Sequence, residues 1–233
     1  MDYIIIVAGG QGLRMGLALP KQFALVGGKP VLMRTIEQFH STDSRLQIIV
    51  VLPHDQQDYW RKLCLQFNFS IHHTVVDGGA TRYESSQNGL KAIPSTEEGV
   101  VGIHDGVRPF VSQSLVTRCY AAARSEGAAI PVLPVTDTLR EIDPSGIARN
   151  TDRSRYRIVQ TPQVFRISLL RKAFLQPWQE AFTDDASVVE HLGHQVAMVE
   201  GERENIKLTT PLDLIVADAL LKKQSQDTPD TLG

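Results

Sequence analysis

Residues 3–16 read Tyr3-Ile4-Ile5-Ile6-Val7-Ala8-Gly9-Gly10-Gln11-Gly12-Leu13-Arg14-Met15-Gly16, a continuous apolar run that stops on a glycine-rich turn. A half-exposed strand would alternate apolar and polar residues. A run with no polar position is buried on both faces, as in a parallel sheet between helix layers. Residues 47–52 (QIIVVL) repeat the pattern, and residues 71–76, 99–104 and 129–135 are further strand-like runs bounded by glycine or proline. Helical signals fill the spaces between them. Pro30 opens a stripe of Val31, Leu32, Thr35, Ile36 and Phe39. Thr81 and Glu84 have capping-box spacing, and Ser112 and Gly127 bracket a helix holding Leu115, Val116 and Cys119. Alternating strand and helix predicts an α/β sandwich with right-handed crossovers.

The alternation breaks at residues 136–157, where two polar arms flank Pro144-Ser145-Gly146. That pattern predicts a β-hairpin projecting from the main body, and an isolated hairpin is marginal in water unless it packs on something, such as a second subunit. Beyond it, residues 168–174 and 184–192 read as short helices and 196–199 as a strand. Residues 211–223 read as a closing helix with Leu212, Ile215, Val216, Ala219 and Leu220 on one face, and 224–233 as a polar, frayed tail.

Composition narrows the function. The 233 residues are 42% hydrophobic and 21% charged with a formal net charge of −2, which fits a globular chain and argues against a dedicated nucleic-acid binder. No run is long enough for a membrane helix and Met1-Asp2-Tyr3 has no basic leader, so a cytoplasmic protein without membrane association is expected. The two cysteines, Cys64 and Cys119, lack metal-ligand spacing and read as buried thiols in a reducing compartment.

The chemistry then rests on local cations. Bare glycine amides after strand one can approach phosphate oxygens, with Arg14 and Lys21 in reach. The loop is neither a dinucleotide fingerprint, since Met15 replaces the third glycine, nor a Walker loop, since no Gly-Lys-Ser/Thr follows. Asp105 ends a buried strand, where α/β sheets place ligands, and a carboxylate there suits Mg²⁺. His104 beside it reads as a structural histidine. His191 and His194 read as a surface helix end, and His72 and His73 as neighbours on opposite faces of a strand. Neither a nucleophile elbow nor a reactive cysteine is evident, and a phosphate monoester needs neither, being largely dianionic at neutral pH.

The Gly-Gly-x-Gly-x-Arg-Met segment followed by Pro20-Lys21-Gln22 resembles the signature of nucleotidyltransferases that couple nucleoside triphosphates to phosphorylated sugars and polyols. Asp77-Gly78-Gly79-Ala80-Thr81-Arg82, His104-Asp105-Gly106-Val107-Arg108-Pro109, Thr151-Asp152-Arg153, Gln160-Thr161-Pro162-Gln163, Thr183-Asp184-Asp185-Ala186-Ser187 and Asn205-Ile206-Lys207 follow in the order and spacing of one family. That family is 2-C-methyl-D-erythritol 4-phosphate cytidylyltransferase, of non-mevalonate isoprenoid precursor biosynthesis, and the resemblance spans residues 3–222.

The resemblance implies a single Rossmann-like α/β/α domain over residues 1–223, with a mainly parallel sheet and a dimerising β-arm at 136–157. It implies CMP transfer from CTP to the polyol phosphate with release of pyrophosphate, aided by Mg²⁺ at Asp105. It assigns Arg14, Lys21, Lys207 and Arg153 to catalysis. Ala8, Gly9, Gly10, Gly12, Gly78, Gly79, Ser85 and Gly106 would contact CTP. Asp105, Arg108, Thr138, Arg153, Thr161 and Thr183 would contact the polyol phosphate, Thr138 and Arg153 from an arm crossing to the partner of a homodimer. Gly106-Val107 departs from the family's usual Ala-Ala or Ala-Val. Ribitol- or ribulose-5-phosphate cytidylyltransferases share several of these motifs and are the alternative; Thr183 to Ser187 favours the methylerythritol enzyme. A nucleotide-sensing regulator would be expected to lose cations or the carboxylate first, and Arg14, Lys21, Asp105 and Lys207 are all present.

Overall fold

Alternate side chains of the first strand enter two different cores, which is how one strand comes to be buried on both faces. Ile4 and Ile6 pack with Leu32, Ile36, Phe39 and Leu115, whereas Tyr3 and Ile5 pack with Tyr83, Leu90, Leu170 and Val189. A computed structural model describes residues 1–10 and 19–227. In chain order the elements are β1 (Tyr3–Val7), β2 (Leu25–Val26), β3 (Lys29–Pro30), α1 (Val31–Thr42), β4 (Gln47–Leu52), α2 (His54–Gln66), β5 (Thr74–Asp77) and α3 (Arg82–Lys91). Then come β6 (Val100–Asp105), α4 (Gln113–Glu126), β7 (Ala128–Pro134), β8 (Arg140–Ile142), β9 (Ala148–Asn150), β10 (Arg157–Val159) and β11 (Gln163–Arg166). The chain closes with α5 (Ile167–Ala173), α6 (Asp185–His191), β12 (Ala197–Glu200) and α7 (Pro211–Asp227).

The central sheet has the order β10-β7-β11-β6-β1-β4-β5, with β12 also paired to β7. β1, β4, β5, β6, β7 and β12 run one way, and only β10 and β11 run against them. The chain builds outward from β1 through β4 to β5, then returns to place β6 on β1's other side. The C-terminal ends of β1 and β6 therefore form the topological switch point, where an α/β sheet opens a crevice for ligands. Helices α1 and α4 cover one face, and α3, α5 and α6 the other.

Local signals explain most boundaries. Thr81 and Glu84 form the capping box of α3, and Ser112 caps α4, which ends at Gly127 with φ +94°. Several expectations needed revision. The strand expected at 71–76 is confined to Thr74–Asp77, so His72 and His73 precede it. His73 is turned inward to accept from Trp60 Nε1 at 3.0 Å. Strand β11 went unforeseen. Helix α7 runs to Asp227, past the expected boundary at 223, with Ser225 Oγ bonded to the Leu221 carbonyl. It buries Ala217 and packs Leu214, Leu220 and Leu221 on Val26, Val31 and Leu208. The face expected to be buried is largely outward instead, with Leu212 65% and Ile215 68% exposed.

The hairpin of β8 and β9 forms a sheet of its own, with Ile142 opposite Ala148 and every strand residue exposed. Asp143 holds its turn: Oδ1 accepts from the Ser145 and Ile147 amides, each at 3.0 Å, and Gly146 takes φ +85°. The pairing of Arg157 with Pro134 returns the chain to the main sheet.

Candidate active site

The ends of β1 and β6 are joined where the Gly106 amide donates to the Val7 carbonyl at 2.9 Å. A Cβ on Gly106 would stand 2.9 Å from that of Ala8, so these two strand ends approach as closely as they do because one of them has no side chain. Above them opens a cleft of about 230 Å³, lined by Ala8, Gly9, Gly10 and Lys21 on one side and Gly79, Thr81, Arg82 and Ser85 on another. Asp105, Val107 and Lys207 also line it. Most of the sequence-predicted residues within the described regions thus converge on one opening.

Lys21 lies on the short 3₁₀ turn Lys21–Phe23 and extends over Gly10, where a Cβ would meet its Cε at 3.0 Å. The bare glycine is what lets the lysine cross the cleft mouth. On the opposite wall the Ser85 hydroxyl accepts from the Gly79 amide at 3.0 Å and donates to the Thr81 carbonyl at 2.9 Å. Its proton is committed to shaping the Gly78-Gly79 turn. A Cβ on Gly79 would fall 2.2 Å from Glu84 Cβ, so the capping-box glutamate packs against glycine here. The Gly78 amide is anchored on the Leu52 carbonyl at 2.8 Å.

Asp105 is surrounded by cations. Its Oδ2 meets Arg108 Nε at 3.0 Å and Lys207 Nζ at 3.1 Å, and its Oδ1 lies 3.7 Å from Arg82. Burial alone would raise its pKa, but Arg82, Lys207 and Arg108 outweigh burial and hold the carboxyl well below the usual range. Arg82 also pairs with Asp185, whose side chain is 1% exposed, and the two carboxylates raise the arginine's pKa against the opposing effect of burial. Arg82 and Asp185 were not singled out from the sequence. They stand 103 residues apart, in the first turns of α3 and α6, and only the folded chain brings them together. The available signal was the arginine directly after the Thr81 cap, aimed at strand ends that already held an aspartate.

Other predicted residues lie elsewhere. Thr161 is buried behind the cleft, its hydroxyl between the Asp105 amide and His104 Nδ1. Arg108 reaches the site only through Asp105 and the Asn205 carbonyl. Thr183 precedes the capping box that Asp184 and Ser187 form at α6 and is not among the lining residues. Thr138 and Arg153 line a separate hollow at the base of the hairpin, where Arg153 bonds the Thr136 carbonyl. Gly12 and Arg14 lie outside the described residues.

Among the described residues, no group of three or more His, Cys, Asp or Glu gathers that could hold a metal. Asp105 is the one carboxylate among the described residues lining the cleft. A single carboxylate does not make a resident metal site. It fits a Mg²⁺ that keeps phosphate oxygens and waters as its other ligands.

The model of the family described as 2-C-methyl-D-erythritol 4-phosphate cytidylyltransferase matches residues 3–223. The chain is 56% identical over 217 residues to the protein of that name from Bacteroides fragilis, covering 93% of this chain and 98% of the other. To the one from Phocaeicola vulgatus it is 53% identical over 219 residues, covering 94% and 99%. Among solved structures, 4-diphosphocytidyl-2C-methyl-D-erythritol synthase from Anaerococcus prevotii superposes with a TM-score of 0.80 at 31% identity, covering 95% of this chain and 98% of that one. The Thermus thermophilus cytidylyltransferase gives 0.75 at 35% identity, covering 95% and 100%. With fold, cleft and motifs in agreement, the chain belongs to the 2-C-methyl-D-erythritol 4-phosphate cytidylyltransferase family.

Proposed function

We propose that the cleft at the β1–β6 switch point binds CTP and transfers its CMP unit to 2-C-methyl-D-erythritol 4-phosphate, releasing pyrophosphate. The observation that carries this reading is the gathering of Lys21, Arg82 and Lys207 around bare glycine backbone and one carboxylate. That arrangement suits a polyanion whose reacting phosphorus is approached by a second anion. A phosphate-monoester oxygen of the polyol forms the new bond to the α-phosphorus, and the bond from that phosphorus to the β-phosphate oxygen breaks. With a second pKa of about 6, the attacking phosphate is already mostly deprotonated, so no general base is required.

The protein's work is alignment and charge neutralisation. The Gly9-Gly10 backbone and the Gly78-Gly79 turn bind CTP, and the cytosine's exocyclic amino group can donate to a backbone carbonyl where uracil offers only an acceptor. Lys21 and Lys207 neutralise charge developing on the phosphates, with Arg14 assigned the same task by family resemblance. Mg²⁺, which would be held by the triphosphate with Asp105 as the chain's carboxylate, supplies further charge neutralisation when bound.

The exposed hairpin supports a homodimer in which Thr138 and Arg153 serve the partner's cleft, since neither lines the cleft of its own chain. The free thiols Cys64 and Cys119, with burial pushing Cys64 up to about 11 and Cys119 up to about 12, support a cytosolic location. Magnesium-dependent pyrophosphate release from CTP, compared across methylerythritol, ribitol and ribulose phosphates, tests the reading. Fastest release with the methylerythritol ester is expected, and faster release with ribitol 5-phosphate overturns the substrate assignment. Lys21→Ala is expected to lower kcat by a factor of about 10² to 10³ while CTP affinity falls far less.

A further inference from the structure

His104 is fully buried at the end of β6, its ring edge-on to Phe39 with centroids 4.8 Å apart, and the transfer chemistry does not use it. Both ring nitrogens are nevertheless engaged. Nε2 lies 3.1 Å from the Arg108 carbonyl, and Nδ1 lies 3.0 Å from the Thr161 hydroxyl. A carbonyl oxygen can only accept, so Nε2 carries a proton, and in an imidazole kept neutral by complete burial Nδ1 is then the acceptor. The Thr161 hydroxyl therefore donates to His104, and with a lone pair it accepts the Asp105 amide at 3.1 Å.

The chain of contacts closes on itself. Arg108, whose carbonyl His104 holds, donates from Nε to Asp105 and from Nη1 to the Asn205 carbonyl at 2.8 Å. Asn205 returns through Nδ2 to the Thr161 carbonyl at 2.8 Å, and two residues later the chain presents Lys207 to Asp105. Asp105, Arg108 and Lys207 thus hang from one buried circuit whose non-catalytic members are His104, Thr161 and Asn205.

We propose that His104 is a positioning residue for the transfer, holding the Asp105–Arg108 turn against Thr161 so that Asp105 aims Lys207 into the cleft. This rests on the cleft being the CTP site. The histidine sets where the cations stand and does not touch substrate. Thr161, on the same geometry, acts by fixing the Asp105 backbone, because its only proton is given to His104.

Three variants separate the two ring contacts. His104→Asn retains an acceptor near the Nδ1 position, His104→Gln retains a donor near the Nε2 position, and His104→Leu has neither. A displacement of about 1 Å at a reacting centre costs on the order of 10²-fold in rate. The expected result for H104L is a kcat reduced roughly 30- to 100-fold, with CTP affinity, titrated without the polyol, within about threefold of wild type. H104N and H104Q should each recover part of the loss.

A folded H104L with kcat within threefold of wild type overturns the proposal, and so does a kcat loss fully matched by weakened CTP binding. If H104L does not fold, the same criteria apply to H104N and H104Q, one or both of which must show the kcat loss. Independently of activity, ¹⁵N NMR of the wild-type imidazole at neutral pH should report the neutral Nε2–H tautomer, and an Nδ1–H tautomer refutes the circuit. Wild-type protein that releases no pyrophosphate with any polyol phosphate would sink the assigned reaction instead, leaving the NMR result to judge the circuit.

Discussion

Replacing Arg82 by methionine tests whether this cleft-lining cation ties the first turn of α3 to that of α6. Arg82 opens α3 and Asp185 opens α6, and their side chains meet where Asp185 is 1% exposed. Asp105, the arginine's second anion, keeps Arg108 and Lys207 if Arg82 is lost, but no second cation pairs with Asp185 among the described residues. The cost therefore falls on Asp185, a carboxylate left in the interior without compensation. Removing one partner of a buried pair costs about 3–5 kcal/mol. With an m-value of about 2–3 kcal/mol/M, the urea midpoint should drop by roughly 1–2 M. Trp60, buried at 1% exposure, provides the fluorescence probe. The double variant Arg82→Met/Asp185→Leu removes both charges and should regain much of the loss. A midpoint shift for R82M below about 0.3 M, equivalent to less than about 1 kcal/mol, would refute the argument and return Arg82 to the status of a solvated cation.

Gly79→Ala forces a Cβ into Glu84 and should lose about 1–3 kcal/mol of stability in thermal melts. Gly9→Ala has its nearest described neighbours at 4.0 Å, so it should melt like wild type yet weaken CTP binding in a titration. Asp213 accepts from the Thr209 and Thr210 amides at 2.7 Å before α7; burial raises its pKa, but those hydrogen bonds outweigh burial and lower it. Its contribution is thus present above the unfolded carboxylate pKa of about 4 and lost as pH falls through the lower folded value. Asp213→Ala should cost about 1 kcal/mol at pH 7 and progressively less in acid, as read by urea midpoints across pH. If the proposed homodimer forms through the arm, Ile142→Asp with Ile147→Asp, at exposed hairpin positions, should shift the protein toward monomer in analytical ultracentrifugation and lower turnover, whereas an unchanged oligomeric state would reject the arm as an interface.

The strongest periodic signals were legible because burial on both faces leaves a mark on every residue of a strand. β1 and β4 read directly for that reason, and the α3 and α4 caps read from side chains bonding to amides three residues on. β11 was hidden by its length and by Gln163 and Arg166 at its ends; it exists because β6 and β7 leave a gap that an antiparallel segment can bridge. The buried side of α7 is not legible because apolar residues occur around most of its circumference, and contacts with Val26, Val31 and Leu208 decide which of them meet the core. At the site, Gly10, Gly79, Asp105 and Lys207 were legible from motifs, and the cleft gathers them. Arg82 with Asp185, and the dependence of Arg108 on Asn205, are contacts between distant segments that no local spacing encodes. Thr161 shows the complementary limit: a motif marks a residue as important without saying whether it faces ligand or frame.

The cluster on Asp105 shapes the electrostatics of the cleft. Three unit charges crowded beside one another repel strongly in a medium of low permittivity, so Arg82, Arg108 and Lys207 could not be stored side by side without an anion between them. Asp105 acts as that spacer. The work of dehydrating and assembling the cations is done once, when the chain folds, rather than each time a nucleotide arrives. On the proposed reading, a phosphate entering the cleft meets cations already assembled, and Lys207, the most exposed of the three, can exchange one oxygen partner for another.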